Sequence, residues 1–167
     1  MGRDKAFVSF DGEPLWHRQV QLLRTLQPQE IFIAGPARPE WRSYAVIEDA
    51  TPHAGPVPAV ASALRLCVTP LLLVFAVDLP RMTASYLRTL VDGHGVVPRG
   101  QPICAVYPRE AAVLAENCGS AQEFAQRCAV AGLVRLREIA SNEEQLFFNM
   151  NTPEDLAAIS TDASRND

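Results

Sequence analysis

Asp78 stands directly after seven apolar residues, LLLVFAV at 71–77. An ionised carboxylate at the end of a buried strand needs a partner, because unpaired burial is costly. A divalent cation carrying a nucleotide's phosphates is one such partner. Mg²⁺ is typically held by one or two carboxylates plus substrate oxygens. Two other readings stay open: Asp78 caps the helix expected near Thr83, or it meets water. Lys5 ends the run Gly2-Arg3-Asp4-Lys5. Near phosphates, a lysine and an arginine offset the charge that develops on a leaving group. The alternative is a solvated charge run in which Asp4 pairs Lys5 locally.

Two further stretches have the residue types of a ligand site. Glu48-Asp49 is followed by Gly55-Pro56. Glycine allows a backbone to approach a ligand closely, and an acid can accept hydrogen bonds from ribose hydroxyls or a base edge. A solvated turn rich in Pro and Gly gives the same pattern. Asn149-x-Asn151 precedes a predicted helix, so two side-chain amides lie beside an N-terminus that attracts anions. Asparagine is also common in plain turns. Trp16, Trp41 and the phenylalanines read as packing residues rather than stacking platforms. No Ser-His-Asp or Cys-His set is evident.

These residues fall at the ends of predicted elements. The pattern gives a short extended stretch at 6–10 closed by Asp11-Gly12, and Pro14 in the first position of a helix over 15–26. That helix puts Leu15, Gln19, Leu22, Leu23 and Leu26 on one mostly apolar face. Strands are expected at 30–34, 45–47, 71–77 and 103–107, an edge strand at 134–139, and a short strand ending at Phe147-Phe148. Helices are expected at 59–67, 83–91, 109–116 and 121–131. A last helix starts at Thr152-Pro153-Glu154-Asp155, with a threonine cap and acids in its first turn. The uninterrupted apolar run 71–77 predicts burial on both faces, the mark of a central parallel strand. Alternating strands and helices predict an α/β fold, Rossmann-like, doubly wound and mostly parallel, in a single domain over 1–160 with a polar tail at 161–167. Such sheets bind ligands beyond the carboxyl ends of their strands. Gly35, Glu48-Asp49, Asp78, Tyr107 and Asn149–Asn151 all lie there.

The chain has 167 residues, 48% of them hydrophobic, and a net charge of −4. That charge argues against nucleic-acid or anionic-membrane partners. The longest apolar run is too short to span a bilayer. Cys67, Cys104, Cys118 and Cys128 have no C-x-x-C spacing and read as free thiols. His17, His53 and His94 are scattered, against a zinc site. With no signal-peptide pattern at the start, a cytoplasmic location is expected.

Taken in order, MGRDKA, GEPLWHRQV, VIEDATPHAGPVPAV, LLLVFAVDLP, QPICAVYPR and FFNMNTPEDL resemble the molybdenum cofactor guanylyltransferases, the MobA-like nucleotidyltransferases, over residues 1–159. The FNxNTPEDL ending and QPxCAVY favour the guanylyltransferase branch. The resemblance implies Mg²⁺-dependent transfer of GMP from GTP to molybdopterin, with pyrophosphate leaving. It assigns Lys5 and Asp78 to catalysis and Asp78 to the metal. Gly2, Arg3, Lys5, Asp49, Gly55 and Asp78 would bind the nucleotide. Asn149 and Asn151 would face molybdopterin. Partner proteins would be those of molybdenum insertion or molybdoenzyme maturation.

The chain departs from the family in two places. A Gly-rich phosphate-binding turn normally follows an apolar first strand, and only Met1-Gly2 matches its end. The expectation is that Met1 is internal and that about a dozen residues precede it. Ala59, after Pro58, stands where a second glycine is common. Cytidylyl transfer, or a shortened relative that binds molybdopterin or a protein partner without turnover, are the alternative functions.

Overall fold

The structure is a computed structural model that describes residues 4–48 and 55–150. The chain divides into two compact units. One comprises Met1–Gln27, Ala76–Arg88 and Ala140–Asp167, the other Pro28–Phe75 and Thr89–Ile139.

In the first unit the predicted stretch at 6–10 is only partly extended. Lys5–Phe7 forms a 3₁₀ turn, because the Asp4 carboxylate accepts from the Ala6 N–H at 3.1 Å. Such local side-chain bonds compete with extended backbone. Strands β1 (Ser9–Phe10) and β2 (Glu13–Pro14) then pair antiparallel. Asp11 and Gly12 between them both have positive φ, 51° and 81°. That is the two-residue turn whose twist matches a hairpin. Pro14 ends β2 in extended conformation and stands just before helix α1 (Leu15–Arg24) rather than in its first turn. Leu15, Gln19 and Val20 are the buried residues of α1. Phe10, Leu15 and Met150 form a small core, with Val8, Val77 and Phe148 against it.

The strand expected to end at Phe147-Phe148 is instead a 3₁₀ turn, Glu144–Phe147. Phe147 is fixed by an edge-on contact with Tyr86, ring centroids 5.2 Å apart, rather than by a strand neighbour. The helix expected from Thr152 lies outside the described residues.

In the second unit β3 (Phe32–Ala34) and β4 (Ala45–Ile47) pair in parallel. Helix α2 (Val57–Leu66) carries the next apolar face, with Pro58 in its first turn. A four-stranded sheet has the order β5 (Leu71–Phe75), β7 (Cys104–Pro108), β6 (Val96–Pro98), β8 (Arg135–Arg137). Helix α3 (Ala84–Leu90), most of which belongs to the first unit, precedes β6 in the chain, and α4 (Ala121–Val130) precedes β8.

The α/β class is realised, while the sense and centre of the sheet differ from expectation. β6 and β8 are parallel, but β7 runs antiparallel to both its neighbours. Residues 99–103 join β6 to β7, and so short a connection permits only an antiparallel pair. The fully buried strands of this sheet are β6, with three residues, and β7, with five, whereas the five residues of β5 are half-buried. β7 has a strand on each side; among the described residues β5 pairs only with β7. An apolar run reveals how much a strand can bury, not how many neighbours it has. The segment expected as a helix at 109–116 is a 3₁₀ run, Arg109–Ala115.

The main core of this unit includes Val57, Leu64, Val97, Ala105, Tyr107, Phe124 and Cys128. Tyr107 stacks at a tilt on Phe124, centroids 4.9 Å apart, and its hydroxyl donates to the Pro102 carbonyl at 2.8 Å. Among the described residues no helix is long and apolar enough to cross a membrane.

Candidate functional site

The site residues within the first unit are carried by segments without regular strand pairing. Lys5 lies in the 3₁₀ turn capped by Asp4, and Asp78 follows the apolar run as an irregular loop begins. The Lys5 Nζ donates to Asp78 Oδ2 at 3.1 Å, with the lysine side chain 35% and the aspartate 20% exposed. Asp78 therefore has a cationic partner rather than water alone. It does not cap α3: the Thr83 hydroxyl accepts from the Tyr86 N–H at 3.3 Å and fills that role.

The backbone around Asp78 is held from outside. Gln19 Nε2 donates to the carbonyls of Val77 at 3.3 Å and Leu79 at 2.9 Å. The Met150 N–H donates to the Asp78 carbonyl at 3.0 Å. Arg18 Nε donates to the Pro80 carbonyl at 3.3 Å. Gln19 is 5% exposed and is the one buried polar or charged residue among the described residues. A buried amide is tolerated only when its donors are used, and here both bonds go to the loop bearing Asp78.

The sequence did not single out Gln19, Arg18 or Met150 as site residues. The signal for Gln19 was present, an amide on an otherwise apolar helix face. Met150 was marked only by its place in the Asn149–Asn151 stretch, because its contribution is a backbone N–H and carries no mark of residue type.

The remaining predicted residues are distributed as follows. Asn149 is exposed and precedes Met150, so it is one residue from a direct contact with the Asp78 carbonyl. Gly55 belongs to the second unit, exposed just before α2, with φ at +73°. That is a left-handed conformation which other residues rarely adopt. Gly2, Arg3, Asp49 and Asn151 lie outside the described residues.

Among the described residues no cluster of three His, Cys, Asp or Glu is present. A cation that arrives with a triphosphate needs only one or two carboxylates. Asp78 meets that need, since only one of its carboxylate oxygens is bonded to Lys5.

In fold, the chain matches a nucleotidyl transferase from Methanothermobacter thermautotroptrophicus with a TM-score of 0.76, at 15% identity, covering 98% of this chain and 86% of that one. It matches molybdopterin-guanine dinucleotide biosynthesis protein A from Archaeoglobus fulgidus with a TM-score of 0.66, at 19% identity, covering 98% and 92%. At these identities the two neighbours show a shared α/β fold. In sequence the chain is 34% identical over 173 residues to a protein of Opitutus terrae named probable molybdenum cofactor guanylyltransferase, covering 93% of this chain and 86% of the relative. The family described as MobA-like NTP transferase domain matches residues 1–163. The chain belongs to that family.

Proposed function

We propose that this chain transfers GMP from GTP to molybdopterin, releasing pyrophosphate, as a step of molybdenum cofactor biosynthesis in the cytoplasm. The observation that carries the reading is the Lys5–Asp78 pair in a chain of the MobA-like family. The name of the Opitutus relative supports the choice of guanosine nucleotide and molybdopterin. The family match over 1–163 supports treating 1–160 as one functional domain, with 161–167 as a tail.

In this reaction the molybdopterin phosphate oxygen attacks the α-phosphorus of GTP. The bond from that phosphorus to the bridging oxygen breaks, and pyrophosphate leaves with the electron pair. Transfer of this type depends mainly on positioning and on charge stabilisation. Asp78 is the residue that would hold Mg²⁺ together with the triphosphate, and the ion supplies neutralisation of the phosphate oxygens when bound. Lys5, already aimed at the same place, offsets the charge that grows on the departing pyrophosphate. Asn149 and Asn151 would face the pterin, and Asp49, Gly55, Gly2 and Arg3 the nucleotide. Proteins of molybdenum insertion or molybdoenzyme maturation would be the chain's partners.

Asp78→Ala tests the reading. Turnover with GTP, Mg²⁺ and molybdopterin should fall by about 10²–10³, the loss typical of one preorganised electrostatic partner. Unchanged turnover at saturating Mg²⁺ would remove Asp78 from the chemistry. A parallel assay with CTP should give little product; equal or better use of CTP would overturn the guanosine assignment.

A further inference from the structure

We propose that Gln19 is a positioning residue for Asp78, and that α1 is the gauge which sets the carboxylate against Lys5. The proposal rests on the reading above, in which Asp78 grips the metal–triphosphate.

The argument starts from the backbone. Residues 76–82 belong to no strand or helix, so no ladder fixes them. The conformation of Asp78 is set by the two peptide planes on either side of its Cα. The plane before it contains the Val77 carbonyl, which Gln19 Nε2 holds at 3.3 Å. The plane after it contains the Asp78 carbonyl, which the Met150 N–H holds at 3.0 Å. Gln19 then reaches one residue further, to the Leu79 carbonyl at 2.9 Å. With both planes held, the direction of the Asp78 Cα–Cβ bond is fixed, and the contact with Lys5 sets the carboxylate beyond it.

The Lys5 segment is tied to the same helix. The Leu15 N–H donates to the Val8 carbonyl at 3.0 Å, and the Val8 N–H returns to the Lys5 carbonyl at 3.1 Å. Leu15 and Gln19 are four residues apart, one above the other on one helix face. One turn of α1 therefore anchors the lysine's segment at one residue and the aspartate's loop at the other. The 3.1 Å pair is read off this helix rather than found by two free side chains. A group that orients a metal-binding carboxylate typically changes metal affinity or activity 10–100-fold when removed. That is the magnitude expected of Gln19.

The test uses the full chain with Mn²⁺ as a spectroscopic stand-in for Mg²⁺. Mn²⁺ binding in the presence of GTP is followed by electron paramagnetic resonance for the wild type, Gln19→Met, Asp78→Asn and the double variant, with folding checked by a thermal melt. Gln19→Met keeps the length of the side chain and removes both donors. It should raise the half-saturating Mn²⁺ concentration by at least about 10-fold, and lower kcat while changing KM for GTP less than about 3-fold at saturating metal. The double variant should bind no worse than Asp78→Asn alone, because Gln19 acts through Asp78. A Gln19→Met chain that is less stable yet binds Mn²⁺ within twofold of wild type, while Asp78→Asn weakens binding, overturns the role of Gln19 and leaves that of Asp78 standing. Unchanged binding in Asp78→Asn, or no Mn²⁺ binding by the wild type with GTP, overturns both. If Gln19→Met does not fold, Gln19→Asn draws the amide back by one methylene and is judged by the same thresholds.

Discussion

The loop around Asp78 and strand β7 solve the same problem by opposite means. Both must satisfy their backbone groups. β7 does so through a five-pair ladder to β5 and a shorter pairing with β6 at Val96–Val106. Its side chains are thereby released for packing, and all five residues are buried. The 76–82 loop has no ladder. Its carbonyls are held one by one, by Gln19, Arg18 and the Met150 N–H, and this leaves the Asp78 carboxylate to face Lys5. A buried ladder spreads its stabilisation over many small contacts. The loop concentrates it in a few bonds around Asp78.

Removing one residue from each region should separate stability from activity. Phe124 is buried against Tyr107, and Phe124→Ala should cost about 3–5 kcal/mol, measured by urea unfolding. A cost under about 1 kcal/mol would mean that this core collapses around the gap. Asp78→Ala is the converse case, with a loss of about 10²–10³ in turnover. Its half-exposed ion pair should carry no more than about 1 kcal/mol of stability. A large drop in stability for this variant would blur the contrast.

How far the sequence revealed these two regions follows from the same physics. Strand 45–47 was readable to the residue, and α4 to within one, because their apolar periods are local. Asp78 and Lys5 stood out as candidates by type, a carboxylate after seven apolar residues and a lysine in a charged run, and the structure pairs them at 3.1 Å. The antiparallel sense of β7 was not readable, since pairing direction depends on β6, a three-residue strand after Gly93-His94-Gly95 with no clear alternation. The ties from Gln19 to residues about sixty positions away are invisible in any local window.

Alkaline pH sharpens the comparison more gently. Burial pushes the Cys104 thiol from 9.0 up to about 12, and Cys128 up to about 11. Both lie in the second unit. These groups stay protonated when folded and ionise above about pH 9 when unfolded. Their contribution is therefore fully present below pH 9 and lost as pH rises towards 11–12. At about pH 10.5 the loss is about 2 kcal/mol for each thiol. Cys104→Ala should flatten that decline in a series of melts against pH, and an unchanged slope would remove Cys104 as its cause.

The smallest effect is expected at the start of α4. Ser120 caps the helix, and the Glu123 carboxylate accepts from the Gly119 N–H at 2.8 Å. That bond, then the Arg127 guanidinium, holds the Glu123 carboxyl below its usual range. Its contribution is present above the ordinary carboxylate value and disappears as pH falls through the lowered one. Glu123→Gln should reduce Tm at neutral pH by no more than about 4 °C, with the difference vanishing in strong acid. A difference that persisted there would point to packing instead.

The two anchor points of α1 also determine where this protein tolerates changes of length. One residue inserted between Leu15 and Gln19 would rotate everything after it by about 100° and shift it by 1.5 Å, so the amide would miss both carbonyls at once. The same insertion after Arg24, where the helix has ended, would leave both anchors in phase. Indels in natural variants of this chain should therefore be excluded from that single turn and accepted a few residues later.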